Sequence, residues 1–209
     1  MKKLTTILFG LFLALCALAQ NTNTTDNGVV INGVKWATRN VDAPGTFAKN
    51  PEDAGMFYQW NRRVGWSATD PMINSDGGTD WDNTDSEGII WKKSNDPSPA
   101  GWRVPTVEEL RTLLEAEKVT NEWTTQNGVI GRKFTDKATS NSLFFPAVGY
   151  RSLRTGEFRN AGTNGVYWSS TLHESGETGP YYLSSGKGTA GVGYYSRMDG
   201  FAVRCVFAE

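Results

Sequence analysis

Cysteine and histidine are scarce in this chain of 209 residues, which contains two cysteines and one histidine. Zinc sites are usually built from several such side chains, so the sequence argues against a zinc centre of the ordinary kind. His173 lies among turn-forming residues in TLHESGE, and no serine–histidine–acid pattern surrounds it. We therefore predict a surface histidine, not a general base, and find no catalytic constellation.

Long hydrophobic runs are missing outside the N-terminus. Residues 1–20 read MKKLTTILFGLFLALCALAQ, with two lysines, a short apolar stretch and an A-x-A cleavage site at 17–19. This order predicts a signal peptide over residues 1–19, and an N-terminal membrane anchor is the alternative. Leu15 before Cys16 does not suit lipoprotein processing. We expect export to the periplasm, the outer-membrane surface or the medium, with no transmembrane segment in the mature chain.

Neither positive nor negative charge is in large excess. The chain has 21 lysines and arginines against 22 acidic residues, a formal net charge of -1. Cleavage would remove Lys2 and Lys3 and no acids, which changes -1 to -3. Nucleic acids and anionic membranes attract strongly basic surfaces. We therefore predict no nucleic-acid partner.

A single cysteine, Cys205, would remain after cleavage, so no intramolecular disulfide can form in the mature protein. The surrounding FAVRCVF alternates apolar and polar residues in the manner of a strand. This setting predicts a buried and chemically inert thiol.

The mature length fits one domain. Residues 20–27 are polar and lack periodicity, which predicts a flexible leader, and residues 28–209 form the single domain. One helix is clear, at about 106–117. Thr106 and Glu109 form a capping box, and apolar residues on one face follow it. The apolar positions are Val107, Leu110, Leu113 and Leu114.

The sequence of the rest of the domain predicts short antiparallel strands joined by long loops. We therefore expect an α+β fold that is mainly antiparallel β. Asn32-Gly33 and Asn127-Gly128 are typical of tight hairpin turns. GYRSLRTGEFRN predicts a hairpin around Gly156, and Pro146 should break or bulge the strand SLFFPAVGY. GVYWSSTL, PYYLSS and the closing FAVRCVF complete the set of strands.

The loop DGGTDWDNTDSEG concentrates carboxylates at spacings that can supply oxygen ligands to calcium. The candidate ligands are Asp80, Asp82, Asp85 and Glu87. The register is not that of an EF-hand, and a solvated acidic loop is the alternative. We expect no cofactor, with calcium left open.

Aromatic side chains are the richest feature, and two roles compete for them. Trp36, Trp60, Trp102 and Trp168 lie in apolar segments and are predicted to belong to the core. Other aromatic residues flank glycine-rich loops, where rings can stack on sugars or contact peptides. The candidate ligand-binding residues are Trp81, Tyr181, Tyr182, Tyr194, Tyr195 and Arg197.

Five segments follow one another along the chain: VKWATRNV, PEDAGMFYQW, DPSPAGWRVPTVEEL, GVYWSST and GFAVRCV. In this order they resemble the Fibrobacter succinogenes major paralogous domain family, found in exported proteins of Fibrobacteres and Bacteroidetes. The resemblance runs from about Val29 to Phe207. It implies a C-type-lectin-like domain with paired terminal strands, and no established activity. Relatives commonly write the D-P-S-P motif as D-P-C-P. The resemblance therefore implies that Ser98 stands where the disulfide partner of Cys205 has been lost.

Three functions remain open at this point. The first is an exported, non-enzymatic binding module that recognises a glycan or protein ligand at the bacterial surface. The second is a structural or tip subunit of a surface fibre, in which edge strands pair between chains. The third is an enzyme of the formylglycine-generating type, which shares the broad fold but uses a cysteine pair. The E-P-N and Q-P-D motifs of calcium-dependent lectins do not occur in the chain.

Overall fold

The computed structural model describes residues 24–174 and 179–208. In these residues, antiparallel strands dominate, accompanied by one short α-helix and a three-residue 3-10 helix. The fold is therefore α+β and mainly antiparallel β, as the sequence predicts. The predicted signal peptide and residues 20–23 of the predicted leader lie outside the described residues. None of the helices in the described part has the length and apolar character needed to cross a bilayer.

A four-stranded sheet joins the two ends of the domain, in the order β1-β2-β15-β5. Its strands are β1 (Val29–Ile31), β2 (Val34–Trp36), β5 (Trp102–Arg103) and β15 (Val206–Phe207). Asn32 and Gly33 both have positive φ, 46° and 81°, so the predicted two-residue turn is confirmed. Upstream of β1, the Asp26 carboxylate accepts bonds from Thr38 and Arg39, which attaches residues 24–27 to the domain.

A five-stranded sheet has the order β10-β9-β14-β3-β4. Its strands are β3 (Phe57–Gln59), β4 (Gly65–Trp66), β9 (Tyr150–Arg151), β10 (Phe158–Arg159) and β14 (Gly200–Phe201). Strands β9 and β10 form the predicted hairpin around Gly156.

The prediction of one closing strand over FAVRCVF is wrong, because the segment is divided between two sheets. Strand β14 ends at Phe201 and β15 begins at Val206. Between them, the completely buried Arg204 donates to Asn40 Oδ1 at 2.8 Å and to the carbonyl of Ala37 at 3.3 Å. These bonds pair only part of the buried guanidinium, since its second terminal nitrogen, Nη2, has no hydrogen-bond partner among the described residues. The chain leaves the five-stranded sheet at this point.

Two three-stranded sheets complete the described fold. One contains β6 (Val119–Gln126), β7 (Val129–Asp136) and β8 (Ser142–Pro146), and the other contains β11 (Asn164–Leu172), β12 (Pro180–Gly186) and β13 (Ala190–Tyr194). Asn127 and Gly128 form the predicted turn between β6 and β7, again with positive φ. Strand β8 ends at Pro146, as the sequence predicts.

The helix α1 (Val107–Thr112) is shorter than the predicted span of about 106–117. Its predicted start is confirmed, because Thr106 and Glu109 form both bonds of the capping box. The apolar face is packed in the core by position 113, because Leu110 and Leu113 are completely buried. Residues 115–118 are all exposed, and their turn directs the chain into β6. Extending the helix would bury nothing further.

The core is aromatic, and the four tryptophans predicted to lie in it are buried. Trp36, Trp60 and Trp168 are completely buried, and Trp102 is 9% exposed. Trp168 stacks on Phe201 with ring centroids 4.0 Å apart, which packs β11 against the five-stranded sheet. The indole N–H groups of Trp60 and Trp168 donate to the carbonyls of Ser169 and Tyr58, so burial leaves neither unpaired.

The proline-rich segment before α1 forms a fixed corner. The carboxylate of Asp96 accepts bonds from the backbone N–H groups of Ser98 and Val104 at 2.8 and 3.1 Å. Trp102 packs edge-on against Phe47 and Phe207. These contacts confirm the structural role of the corner that its prolines and tryptophan indicate.

Ser98 and Cys205 face each other at this corner. The completely buried thiol of Cys205 donates to the Ser98 hydroxyl, with Sγ and Oγ 3.1 Å apart. Burial raises the pKa of the Cys205 thiol far above its ordinary value, so the group stays protonated. The predicted burial of the thiol is confirmed, and its raised pKa agrees with the predicted lack of reactivity.

Candidate functional site

The predicted tyrosines meet on the hairpin of β12 and β13, where Tyr181 is paired directly opposite Tyr194. His173 joins them, with its ring centroid 5.2 Å from that of Tyr181 and 4.3 Å from that of Tyr194. We call these three rings the aromatic platform. Tyr194 is 48% exposed, and the Arg111 guanidinium lies 5.5 Å from the centre of the Tyr181 ring. The platform therefore offers aromatic faces and a cation at the protein surface.

Tyr182 and Tyr195 lie apart from the platform, because neighbouring residues of a strand face opposite sides of the sheet. The Tyr182 ring packs on Phe201, with centroids 5.2 Å apart, and edge-on against Trp168. Tyr195 is 50% exposed and lines a cleft with Asp199. The four predicted tyrosines thus divide between two surfaces of one hairpin.

The cleft beside Tyr195, which we call the Asp199 cleft, has a cavity volume of about 290 Å³. Its lining includes Tyr150, Leu153, Arg154, Glu157, Arg159 and Tyr195 around Asp199. Asp199 is 1% exposed. Its Oδ1 accepts a bond from the Leu153 N–H at 3.1 Å, and its Oδ2 has no hydrogen-bond partner among the described residues.

Burial raises the pKa of Asp199 from its ordinary value of 3.8 to about 7, against the lowering effects of the Leu153 N–H bond and the charge of Arg159. Burial also raises the pKa of Tyr182, and the charges of Tyr195, Asp199 and Tyr150 add to that increase. The raised pKa keeps the Tyr182 phenol neutral at physiological pH. Strongly shifted carboxyl groups in clefts are concentrated at functional sites.

The raised pKa of Asp199 predicts that Asp199→Asn stabilises the protein at pH 8 but not at pH 4. The unfolded carboxyl loses its proton near pH 3.8 and the folded one near pH 7. Between these values the folded state binds more protons, so wild-type stability falls as the pH rises. After allowance for solvent screening, we expect a gain of about 2 kcal/mol at pH 8. Urea unfolding across this pH range measures it.

Asp85→Asn provides the matched control, because Asp85 is exposed and does not line the Asp199 cleft. Its effect on the free energy of unfolding should be small. An Asp199→Asn gain of equal size at pH 4 and pH 8 would contradict the assignment of a near-neutral pKa to Asp199.

Trp81 and Arg197 both hold loops in place. The Trp81 N–H donates to the Leu153 carbonyl at 2.9 Å, and its ring lies against Trp66 with centroids 4.9 Å apart. Arg197 donates to the carbonyls of Ser86 and Gly88 at 3.0 and 2.6 Å. Neither side chain belongs to the platform. Trp81 supports the wall of the Asp199 cleft, and Arg197 holds the acidic loop.

The predicted calcium ligands do not converge. Asp80, Asp85 and Glu87 are exposed, whereas Asp82 pairs with Arg62 at 2.7 Å and accepts bonds from Thr84. Across residues 24–174 and 179–208, no group of three or more His, Cys, Asp or Glu side chains is arranged to hold a metal ion.

Sequence reasoning missed Asp199 and Tyr150, which lie far apart from each other in the chain. Asp199 precedes β14, and Tyr150 begins β9. The pairing of β9 with β14 brings them together, and no local spacing signals it.

Comparisons with protein-family models, curated proteins and solved structures found no match to this chain.

Proposed function

We propose that this chain is an exported, non-enzymatic binding module that recognises a glycan at the bacterial surface through the aromatic platform. The supporting observation is the surface cluster of His173, Tyr181 and Tyr194 beside Arg111, in which Tyr194 is exposed and the other two rings are half-buried. Aromatic faces stack on the apolar faces of sugar rings, and a guanidinium donates to hydroxyl or carboxylate oxygens. Exposed aromatic clusters on soluble proteins commonly mark interaction sites.

We also propose a C-type-lectin-like fold and membership of the Fibrobacter succinogenes major paralogous domain family. Support comes from the pairing of β2, near the start of the described chain, with β15 at its end. The fixed corner before α1 and the long segment between β4 and β5 agree with the same proposal.

The function is tested by binding of the mature chain to an array of glycans and bacterial and host proteins, with calcium or with a chelator. We expect saturable retention on a glycan under both conditions, since the platform contains no acidic side chain that needs a cation. Retention on proteins alone would favour a protein ligand. An absence of saturable retention by the folded chain would contradict the proposal.

A structural or tip subunit of a surface fibre is the second candidate. Strand β6 favours it, because this eight-residue strand lies at the edge of its sheet in the described part of the chain. Exposed edges can pair with a second chain. Glu122 and Lys133 place charges on this hairpin, which opposes such pairing. Ladder assemblies in electron micrographs would support the fibre role over the binding module.

An enzyme of the formylglycine-generating type is supported least. That chemistry needs a pair of reactive cysteines, whereas Cys205 is completely buried and burial raises its thiol pKa. A reactive cysteine is expected to have an accessible, stabilised thiolate.

A further inference from the structure

The Asp199 cleft contains a hydrogen-bond acceptor that the fold does not use. The Oδ2 atom of Asp199 is buried and has no partner among the described residues, whereas Oδ1 is bound to the Leu153 N–H. A buried polar atom without a partner destabilises the folded state. Most such atoms in folded proteins are paired, so an exception calls for an explanation. A donor supplied by a ligand explains this one.

The wall of the cleft is fixed by contacts from outside it. Leu153 is held on both sides, since its N–H donates to Asp199 and its carbonyl accepts from Trp81 at 2.9 Å. The buried Arg151 donates to the Gly156 carbonyl at 2.6 Å, and the Gly156 N–H donates to the Ser152 carbonyl at 2.9 Å. A wall that is already ordered loses little entropy when a ligand binds.

The volume of the cleft and the charges of its lining residues limit the chemical class of ligand that it can bind. A volume of about 290 Å³ is at the small end for ligand pockets and suits one ring-sized group. Arg159 is paired with Glu157 at 2.6 Å, and Arg154 adds a further positive charge at the rim. These charges offset the carboxylates, so the cleft has no strong negative field to attract a cation. Tyr150 and Tyr195 add aromatic faces to the lining.

We propose that the Asp199 cleft binds one neutral sugar residue, with a sugar hydroxyl donating to Asp199 Oδ2 and a rim tyrosine against the ring face. Above its raised pKa of about 7 the Asp199 carboxyl is ionised, and carboxylate oxygens accept strong hydrogen bonds from hydroxyl groups. Arg154 and Tyr195 line the same cleft and are exposed, and exposed side chains change rotamer rapidly, so the lining can adapt to a ligand. This site is separate from the aromatic platform and does not depend on it.

The test is an NMR titration of the mature chain with glucose, galactose, mannose and N-acetylglucosamine, each as a separate probe up to about 50 mM, a range that reveals weak millimolar binding. We expect one of these sugars to shift the Leu153 amide signal and the Asp199 carboxyl carbon signal saturably. Asp199→Asn keeps the acceptor for Leu153 and replaces Oδ2 with a donor, so it should weaken binding at least about tenfold. Tyr195→Ala should also weaken it, whereas Trp123→Ala, whose ring is on β6 and does not line the cleft, should not.

Ethylammonium chloride serves as the cationic probe. A saturable shift with ethylammonium and none with the sugars would overturn the proposal. The same holds if no sugar shifts these signals, or if a dispersed, folded spectrum of Asp199→Asn shows unchanged sugar binding. Loss of binding in Tyr194→Ala but not in Tyr195→Ala would show that the sugar binds at the platform. This result would overturn the proposed cleft site but would not contradict the proposed function.

Discussion

The Ser98→Cys variant is expected to form a disulfide with Cys205 in oxidising medium and to become more stable than the wild type. The two side chains already converge, with Cys205 Sγ 3.1 Å from Ser98 Oγ. The bond would close a long loop from residue 98 to residue 205. Chain entropy predicts about 4.7 kcal/mol for loops of about 100 residues, and strain in engineered bridges reduces this to about 2–4 kcal/mol.

Alkylation of free thiols followed by mass spectrometry measures bond formation, and urea unfolding with and without reductant measures the gain. Ser98→Ala is the matched control, because it removes the hydroxyl that accepts from Cys205 without adding a bond. Two free thiols in the oxidised variant, or equal stability in both redox states, would contradict the facing arrangement of residues 98 and 205.

The Trp102→Ala variant is expected to lose about 3–5 kcal/mol of unfolding free energy, the range for deleting a large buried aromatic side chain. Its ring lies edge-on to Phe47 and Phe207, at centroid distances of 5.7 and 5.6 Å. It also packs so close to Gly28 that a Cβ there would lie 2.8 Å from the indole. Removing the ring would separate the corner from the N-terminal hairpin.

Trp123→Ala is the control for this substitution, because its partly exposed ring on β6 contacts the Arg132 guanidinium at 5.9 Å. Such a contact contributes about 0.5–1 kcal/mol at exposed sites. Urea unfolding of both variants gives the comparison. Similar losses for the two would show that Trp102 does not anchor the corner.

Features that depend on a few neighbouring residues could be predicted from the sequence. The Asn-Gly turns need positive φ at both central residues, and the capping box needs only Thr106 and Glu109 three residues apart. The end of α1 and the division of the closing strand could not be predicted. They depend on where β6 must begin and on bonds from Arg204 to residues more than 160 positions away.

The candidate site was predictable only in part, for the same reason. The tyrosines stand out in the sequence, but their division between two surfaces follows from the register that pairs Tyr181 with Tyr194 and Tyr182 with Gly193. Asp199 gains its significance from burial next to residues 150–159, which no sequence spacing reveals. Its unpaired oxygen lowers the stability of the folded state but leaves an acceptor available to a ligand, and functional sites commonly reduce stability in this way.

The dissociation constant for the glycan retained most strongly on the array tests the central claim most directly, measured for the wild type, Tyr194→Ala and Trp123→Ala. Trp123 is a partly exposed aromatic residue on β6 that belongs to neither the platform nor the Asp199 cleft, so it is the control for loss of an aromatic ring. The platform predicts binding at least about tenfold weaker in Tyr194→Ala, with Trp123→Ala within about twofold of the wild type. Equal affinity in the wild type and Tyr194→Ala would contradict recognition through the aromatic platform.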